Sequence, residues 1–224
     1  INVAIMPTYD CNFRCPYCYE SHRLARGQEW LSRVMDYETM EAIFSSLYGL
    51  QAQGYKLEEC TLYGGEPLLK QNLPIAKKIA ERAKALGMKV EAVTNGYELS
   101  DCLEMLKESG VEEIQVTVDG VGETNDRRRI HKDGFKTYER ILQNVDLALR
   151  QGIRVNLRVN VGRENLREIK RLTDDLKTRF GERDGLFYYF KATNDDRRPE
   201  NNIKEQDIID ELTRSGFSAE NAVM

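Results

Sequence analysis

Six short runs rich in β-branched residues recur along the 224-residue chain, with a longer stretch between each and the next. The runs cover residues 2–8, 59–64, 89–95, 113–119, 154–160 and 185–190, and helical patterns fall at 36–53, 72–86, 98–109, 136–151 and 164–180. In the last pattern Leu166, Ile169, Leu172, Leu176 and Phe180 recur at helical spacing. Repetition of strand, helix, strand implies right-handed crossovers and a parallel α/β sheet. Six strands are two short of a closed eight-fold barrel. The pattern therefore leaves two architectures, an open doubly wound sheet or a partial barrel of six βα units.

Composition narrows the function classes. Lys and Arg number 33 against 37 Asp and Glu, a formal charge of −4, which argues against nucleic acid or an anionic membrane as partner. No run of 18 apolar residues suggests a spanning helix, and "INVAIMPTYD" has neither the basic start nor the apolar stretch of a signal peptide. The chain lacks an initiator Met, so it is expected to be part of something longer. Five cysteines form an odd, sparse set, which fits a reducing cytoplasm better than a secreted scaffold. The character changes after residue 190. Residues 1–190 read as the core, and 191–224 as a polar linker plus one amphipathic helix ending at Gly216, leading toward a further C-terminal extension.

Three of the five cysteines, Cys11, Cys15 and Cys18, lie within eight positions directly after the first run. Three clustered thiols cannot all pair as disulfides. A structural zinc ion would need a fourth ligand, for which His22 is the nearby candidate. A cubane [4Fe–4S] cluster suits three thiolates better, one per iron, with the fourth iron open to chemistry. Other notable groups also follow strands. After the second come Gly64, Gly65, Glu66 and Pro67, where two glycines allow close backbone approach and Glu66 offers a carboxylate to an ammonium. After the third come Thr94, Asn95 and Gly96, a turn signal. After the fourth come Thr117, Asp119 and the arginines 127–129, suited to a carboxylate. In the fifth, Arg158 or Asn160 would be costly in a buried strand unless paired.

The spacing C-x-x-x-C-x-aromatic-C, met by Cys11, Cys15, Tyr17 and Cys18, resembles the hallmark of the radical S-adenosylmethionine (radical SAM) enzymes. That resemblance implies a partial (β/α)6 barrel of the TIM type. It implies a [4Fe–4S] cluster on the three cysteines and SAM chelated to the open iron. Reductive cleavage of SAM then yields a 5′-deoxyadenosyl radical that abstracts a substrate hydrogen. By the same resemblance Gly64, Gly65, Glu66 and Pro67 receive the SAM amino group, and Thr94 and Asn95 lie near the ligand. Thr117 with Arg129, or Arg128 in reserve, holds the SAM carboxylate, and Asp119 reaches the ribose or caps its loop. Arg158 and the aromatic neighbours Tyr17 and Tyr19 complete the expected cofactor site, and no catalytic residue is assigned. The motifs are most similar to peptide- and protein-modifying members, the SPASM-type maturases and anaerobic sulfatase-maturating enzymes. The alternatives are a compact radical SAM enzyme without auxiliary clusters, such as a glycyl-radical activase or a small-molecule enzyme, and, more distantly, a zinc-stabilised α/β binding module. A peptide substrate, with a leader, and a flavodoxin or ferredoxin as electron donor are the implied partners. Cys60 and Cys102 are expected in the core, one of Tyr188 and Tyr189 is expected to face inward, and Trp30 and His131 carry no signal.

Overall fold

The computed structural model describes residues 1–217, apart from the side chains of His22 and Ala25. All six expected strands form: β1 (Asn2–Thr8), β2 (Glu59–Gly64), β3 (Lys89–Thr94), β4 (Glu113–Thr117), β5 (Arg154–Val161) and β6 (Leu186–Ala192). They pair in parallel in chain order, without reversal. A doubly wound sheet reverses its strand order and so places helices on both faces. Unreversed order with right-handed crossovers puts every helix on one face and curls the sheet around the other. The fold is thus the partial (β/α)6 barrel of the TIM type. Among the described residues β1 and β6 do not pair, so the barrel stays open between them.

The helices are α1 (Ser21–Ala25), α2 (Tyr37–Ala52), α3 (Leu73–Ala85), α4 (Leu103–Glu108), α5 (Glu123–Arg128), α6 (Tyr138–Arg150), α7 (Ile169–Phe180) and α8 (Glu205–Arg214). Asp36 starts α2 by accepting the amide of Thr39 at 2.7 Å, which satisfies an otherwise orphaned donor. Alternation along β5 separates two environments. Val155, Leu157, Val159 and Val161 are buried toward the helices, where Ile141, Leu142 and Val145 of α6 meet the sheet. Arg154, Asn156, Arg158 and Asn160 face the barrel interior, where Glu113 accepts from Arg154 Nε at 3.1 Å and Asn156 Nδ2 at 2.6 Å. Lys89 Nζ lies 3.2 Å from the same carboxylate. Tyr189 is the inward member of its pair, donating to Gln115 Oε1 at 2.6 Å.

Three expectations need correction. The helix expected at 98–109 is a short 3-10 turn, Leu99–Asp101, followed by the brief α4. Glu98 is drawn toward the barrel mouth instead, where it accepts from Asn12 Nδ2 at 3.3 Å and Lys70 N at 3.0 Å. Helices α1 and α5 were not foreseen, because each is too short to show periodicity. The boundary at 190 falls inside β6, and residues 193–202, read as linker, pack on the core with Asp195 only 1% exposed. The amphipathic α8 forms as expected, with Ile208 and Leu212 buried, and ends at Gly216 with φ of +81°. The last seven residues of the tail, 218–224, lie outside the described residues. Among those described, no helix is long and apolar enough to cross a membrane.

Candidate active site at the strand ends

The loop leaving β1 carries the three cysteines and is held at both ends. The amide of Arg14 donates to Ile130 O at 2.7 Å and that of Lys132 to Asn12 O at 2.8 Å, tying the loop to the segment after α5. Phe13 is buried beneath it, against Tyr97 and His131. Cys11 Sγ accepts the Phe13 amide at 3.3 Å, and the Cys18 amide closes a turn onto Cys15 O at 3.0 Å. All five cysteines are free. Cys60 and Cys102 are fully buried core thiols.

The Gly-Gly-Glu turn after β2 nests against the start of this loop. Gly65 N donates to Thr8 O at 3.0 Å and Glu66 N to Asp10 O at 2.7 Å. A Cβ at Gly65 would meet Asp10 O at 2.2 Å, and one at Gly64, whose φ is +122°, would meet Thr8 O at 2.6 Å. Only glycines allow this approach. Glu66 then turns inward, 2% exposed. Its Oε1 accepts from Thr94 Oγ1 at 2.7 Å and Leu68 N at 3.0 Å, and its Oε2 accepts from Asn95 N at 2.6 Å. Burial raises its pKa to about 7, against the opposing pull of those donors. Two motifs that look separate in the sequence are thus one hydrogen-bonded unit. Asn95 extends it to the cysteine loop, donating to Asn12 Oδ1 at 2.6 Å, with Cys11 Sγ 3.8 Å away.

On the other flank Tyr17 donates to Asp119 Oδ2 at 2.5 Å and accepts from Arg129 Nη1 at 2.9 Å. Asp119 is fully buried and also accepts the Asn160 amide at 3.2 Å, with Arg128 Nε at 3.5 Å. Arg128 is further engaged by Glu164, whereas exposed Arg127 lies 3.5 Å from Glu123.

These groups surround one cavity of about 320 Å³. Cys11, Cys15, Cys18, Tyr17, Tyr19, Gly64, Gly65, Glu66, Thr94, Asn95, Thr117, Arg129 and Arg158 all contribute to its wall. Pro67, Asp119 and Arg128 do not line it. Asp119, considered for a ribose, has its carboxylate occupied by the chain itself, and Arg128, the reserve clamp, is spent on two carboxylates. Among the three adjacent arginines the cavity receives Arg129.

The donor set fits an iron–sulfur cluster. Burial raises the pKa of all three thiols, Cys15 to about 11, so they ionise only against added positive charge such as metal ions. Among the described residues no three Cys, His, Asp or Glu side chains converge on one point as a single metal ion would require. A cubane instead offers each thiolate its own iron. The side chain of His22, the fourth ligand of the zinc alternative, lies outside the described residues.

Sequence reasoning missed Tyr63, Gln115, Thr193 and Asn194, which also line the cavity. Gln115 was detectable in principle, because it shares strand parity with Thr117. Thr193 and Asn194 were hidden in the supposed linker. His131 is structural, packed 4.6 Å from the Tyr97 ring, and Trp30 stacks under the Arg14 guanidinium at 3.7 Å.

Comparison with known proteins agrees with this geometry. The family model described as the radical SAM superfamily matches residues 5–176. The Fe-coproporphyrin III synthase of Methanosarcina barkeri is 30% identical over 225 residues, covering 95% of this chain and 52% of the relative. A GTP 3′,8-cyclase of Synechocystis is 33% identical over 167 residues, covering 72% and 46%. A solved structure of anSMEcpe with bound AdoMet and the Cp18Cys peptide superposes with a TM-score of 0.72 at 19% identity, covering 95% of this chain and 58% of that one. The chain thus spans about half the length of the curated relatives it matches. It belongs to the radical SAM superfamily, whose enzymes work with a [4Fe–4S] cluster and S-adenosylmethionine.

Proposed function

We propose that Cys11, Cys15 and Cys18 hold the cluster, that SAM occupies the adjoining cavity, and that the enzyme abstracts hydrogen from a peptide or protein. The observation that carries the first two parts is the convergence of three thiols, the Glu66 turn and Arg129 on one cavity wall. Cluster and SAM together supply one-electron reductive cleavage of the sulfonium and the hydrogen abstraction that follows. The chain's own residues bind and orient. Glu66, fixed by three donors, presents a carboxylate rim to the SAM ammonium, an interaction that favours its ionised form. Arg129, aimed by Tyr17, offers its guanidinium to the SAM carboxylate beside the Thr117 hydroxyl. Gly64, Gly65, Thr94, Asn95, Tyr19 and Arg158 complete the cofactor wall.

The peptide reading is supported by the similarity of the strand-end motifs to those of peptide-modifying members. A flavodoxin or ferredoxin in a cytoplasmic setting would supply the electron. A second reading, a tetrapyrrole substrate, is favoured by the 30% identity to Fe-coproporphyrin III synthase across 95% of this chain.

The two readings separate by experiment. The relative is named for its product, so the probe is an iron tetrapyrrole precursor from which Fe-coproporphyrin III could form. Added to the cluster-loaded chain with SAM and dithionite, it is expected to leave 5′-deoxyadenosine formation unchanged. Co-expression with short peptides encoded beside the gene is expected to change a peptide's mass. A several-fold rise with the tetrapyrrole, and no altered peptide, would transfer the assignment to the second reading.

A further inference from the structure

The segment after β6 reaches back to the cysteine loop across more than 170 residues of sequence. Arg197 forks onto two backbone carbonyls there: Nη2 donates to Pro16 O, and Nη1 donates to Ser21 O at 3.2 Å. Pro16 lies between Cys15 and Cys18. Ser21 binds both of them, with its Oγ donating to Cys15 O at 2.8 Å and its amide to Cys18 O at 3.0 Å. One guanidinium therefore holds both ends of the turn that carries two of the three cysteines. Its planar geometry suits such a fork, which a lysine cannot reproduce.

The grip is itself anchored. Asp195 lies 3.4 Å from Arg197 Nε and 3.1 Å from Arg198 Nε, and it accepts the Arg197 amide at 3.1 Å. Arg198 reaches Glu164 at 3.9 Å, Glu164 pairs with Arg128, and Arg128 lies 3.5 Å from Asp119, which accepts from Tyr17. Charges alternate along this path, which starts at Pro16 and returns at Tyr17, the next residue. Asn201 fixes the far end, accepting the Glu164 amide at 3.0 Å through its side chain and the Arg163 amide at 2.9 Å through its carbonyl. It packs so closely on Gly162 that a Cβ there would meet it at 2.8 Å.

We infer that residues 193–202 are a clamp that positions Cys15 and Cys18, with Arg197 as its positioning residue. The inference rests on the reading of the three cysteines as cluster ligands. It makes the shape of the cluster seat depend on chain beyond the last barrel strand.

The test uses the metal-free, reduced chain, alkylated with iodoacetamide for timed intervals and mapped by mass spectrometry at each cysteine. Loss of hydrogen bonds from a charged donor should open the turn locally. Arg197→Met is expected to raise alkylation at Cys15 and Cys18 about tenfold, and Arg197→Lys to raise it less. Cys60 and Cys102 should stay protected in both variants. Rates at Cys15 and Cys18 within about twofold of the parent chain would overturn the clamp. If Arg197→Met loosens all five cysteines together, Arg197→Lys decides: a rise confined to Cys15 and Cys18 upholds the clamp, and no rise overturns it. Iron loading of the unaltered chain tests the cluster assignment separately, because failure to load would leave the alkylation result intact.

Discussion

The two faces of β5 carry opposite chemistry. Toward the helices the strand presents Val155, Leu157, Val159 and Val161, all buried. Toward the barrel interior it presents Arg154, Asn156, Arg158 and Asn160, with Arg154 and Asn156 bonded to the Glu113 carboxylate on β4 and Arg158 to Asn160. A closed eight-stranded barrel fills its interior with branched apolar side chains. This open one lines its interior with paired polar side chains instead. The stability of this fold therefore sits almost wholly on the helix side, and the interior is free to carry chemistry.

That division can be tested by breaking each side. The largest stability effect is expected from Leu157→Ala, which removes a fully buried side chain between β5 and the helices. It should cost roughly 2–5 kcal/mol in denaturant unfolding. Next comes Glu66, a buried carboxyl at the interior rim. Its folded pKa of about 7 lies above the ordinary 4.5, so the native chain holds more protons than the unfolded one between those values, and stability falls as pH rises through that window. The contribution is at most roughly 3–4 kcal/mol, at ~1.4 kcal/mol per pK unit. His131, whose pKa burial lowers, acts in the opposite sense, so the informative quantity is the difference between the parent chain and Glu66→Gln. That difference should change steadily from pH 5 to 7 in the metal-free chain. The smallest effect is expected from Tyr189→Phe on the interior side, where one hydrogen bond to Gln115 is lost, about 1 kcal/mol or less. A Tyr189→Phe cost equal to that of Leu157→Ala would erase the distinction between the faces.

Much of this was legible in the sequence. The alternation of β5, the strand-end position of Cys11 to Cys18, and the Gly64–Glu66 turn are local patterns, and local patterns survive in a linear reading. Partnerships were less visible. Nothing in the sequence pairs Tyr17 with Asp119, 102 residues away, so the sequence leaves Asp119 open between a ribose contact and a loop cap, and the fold engages it with the chain. Arg128 and Arg129 are adjacent yet diverge, one into an ion-pair path and the other into the cavity. The register that separates them is set by the short α5, which has no periodic signature. Residues 193–202 were misread for the same reason: polar residues suggest solvent unless their partners are known, and here the partners lie on the cysteine loop and the segment after β5.

The central claim is that strand ends far apart in sequence assemble one seat for a cluster and SAM. The most direct test is anaerobic reconstitution with iron and sulfide, reduction with dithionite, and quantification of 5′-deoxyadenosine and methionine formed from SAM. The chain is expected to take up about four irons and cleave SAM. A variant with Cys11, Cys15 and Cys18 all replaced by Ala should do neither. One zinc per chain, with no SAM cleavage in either protein, would contradict the account.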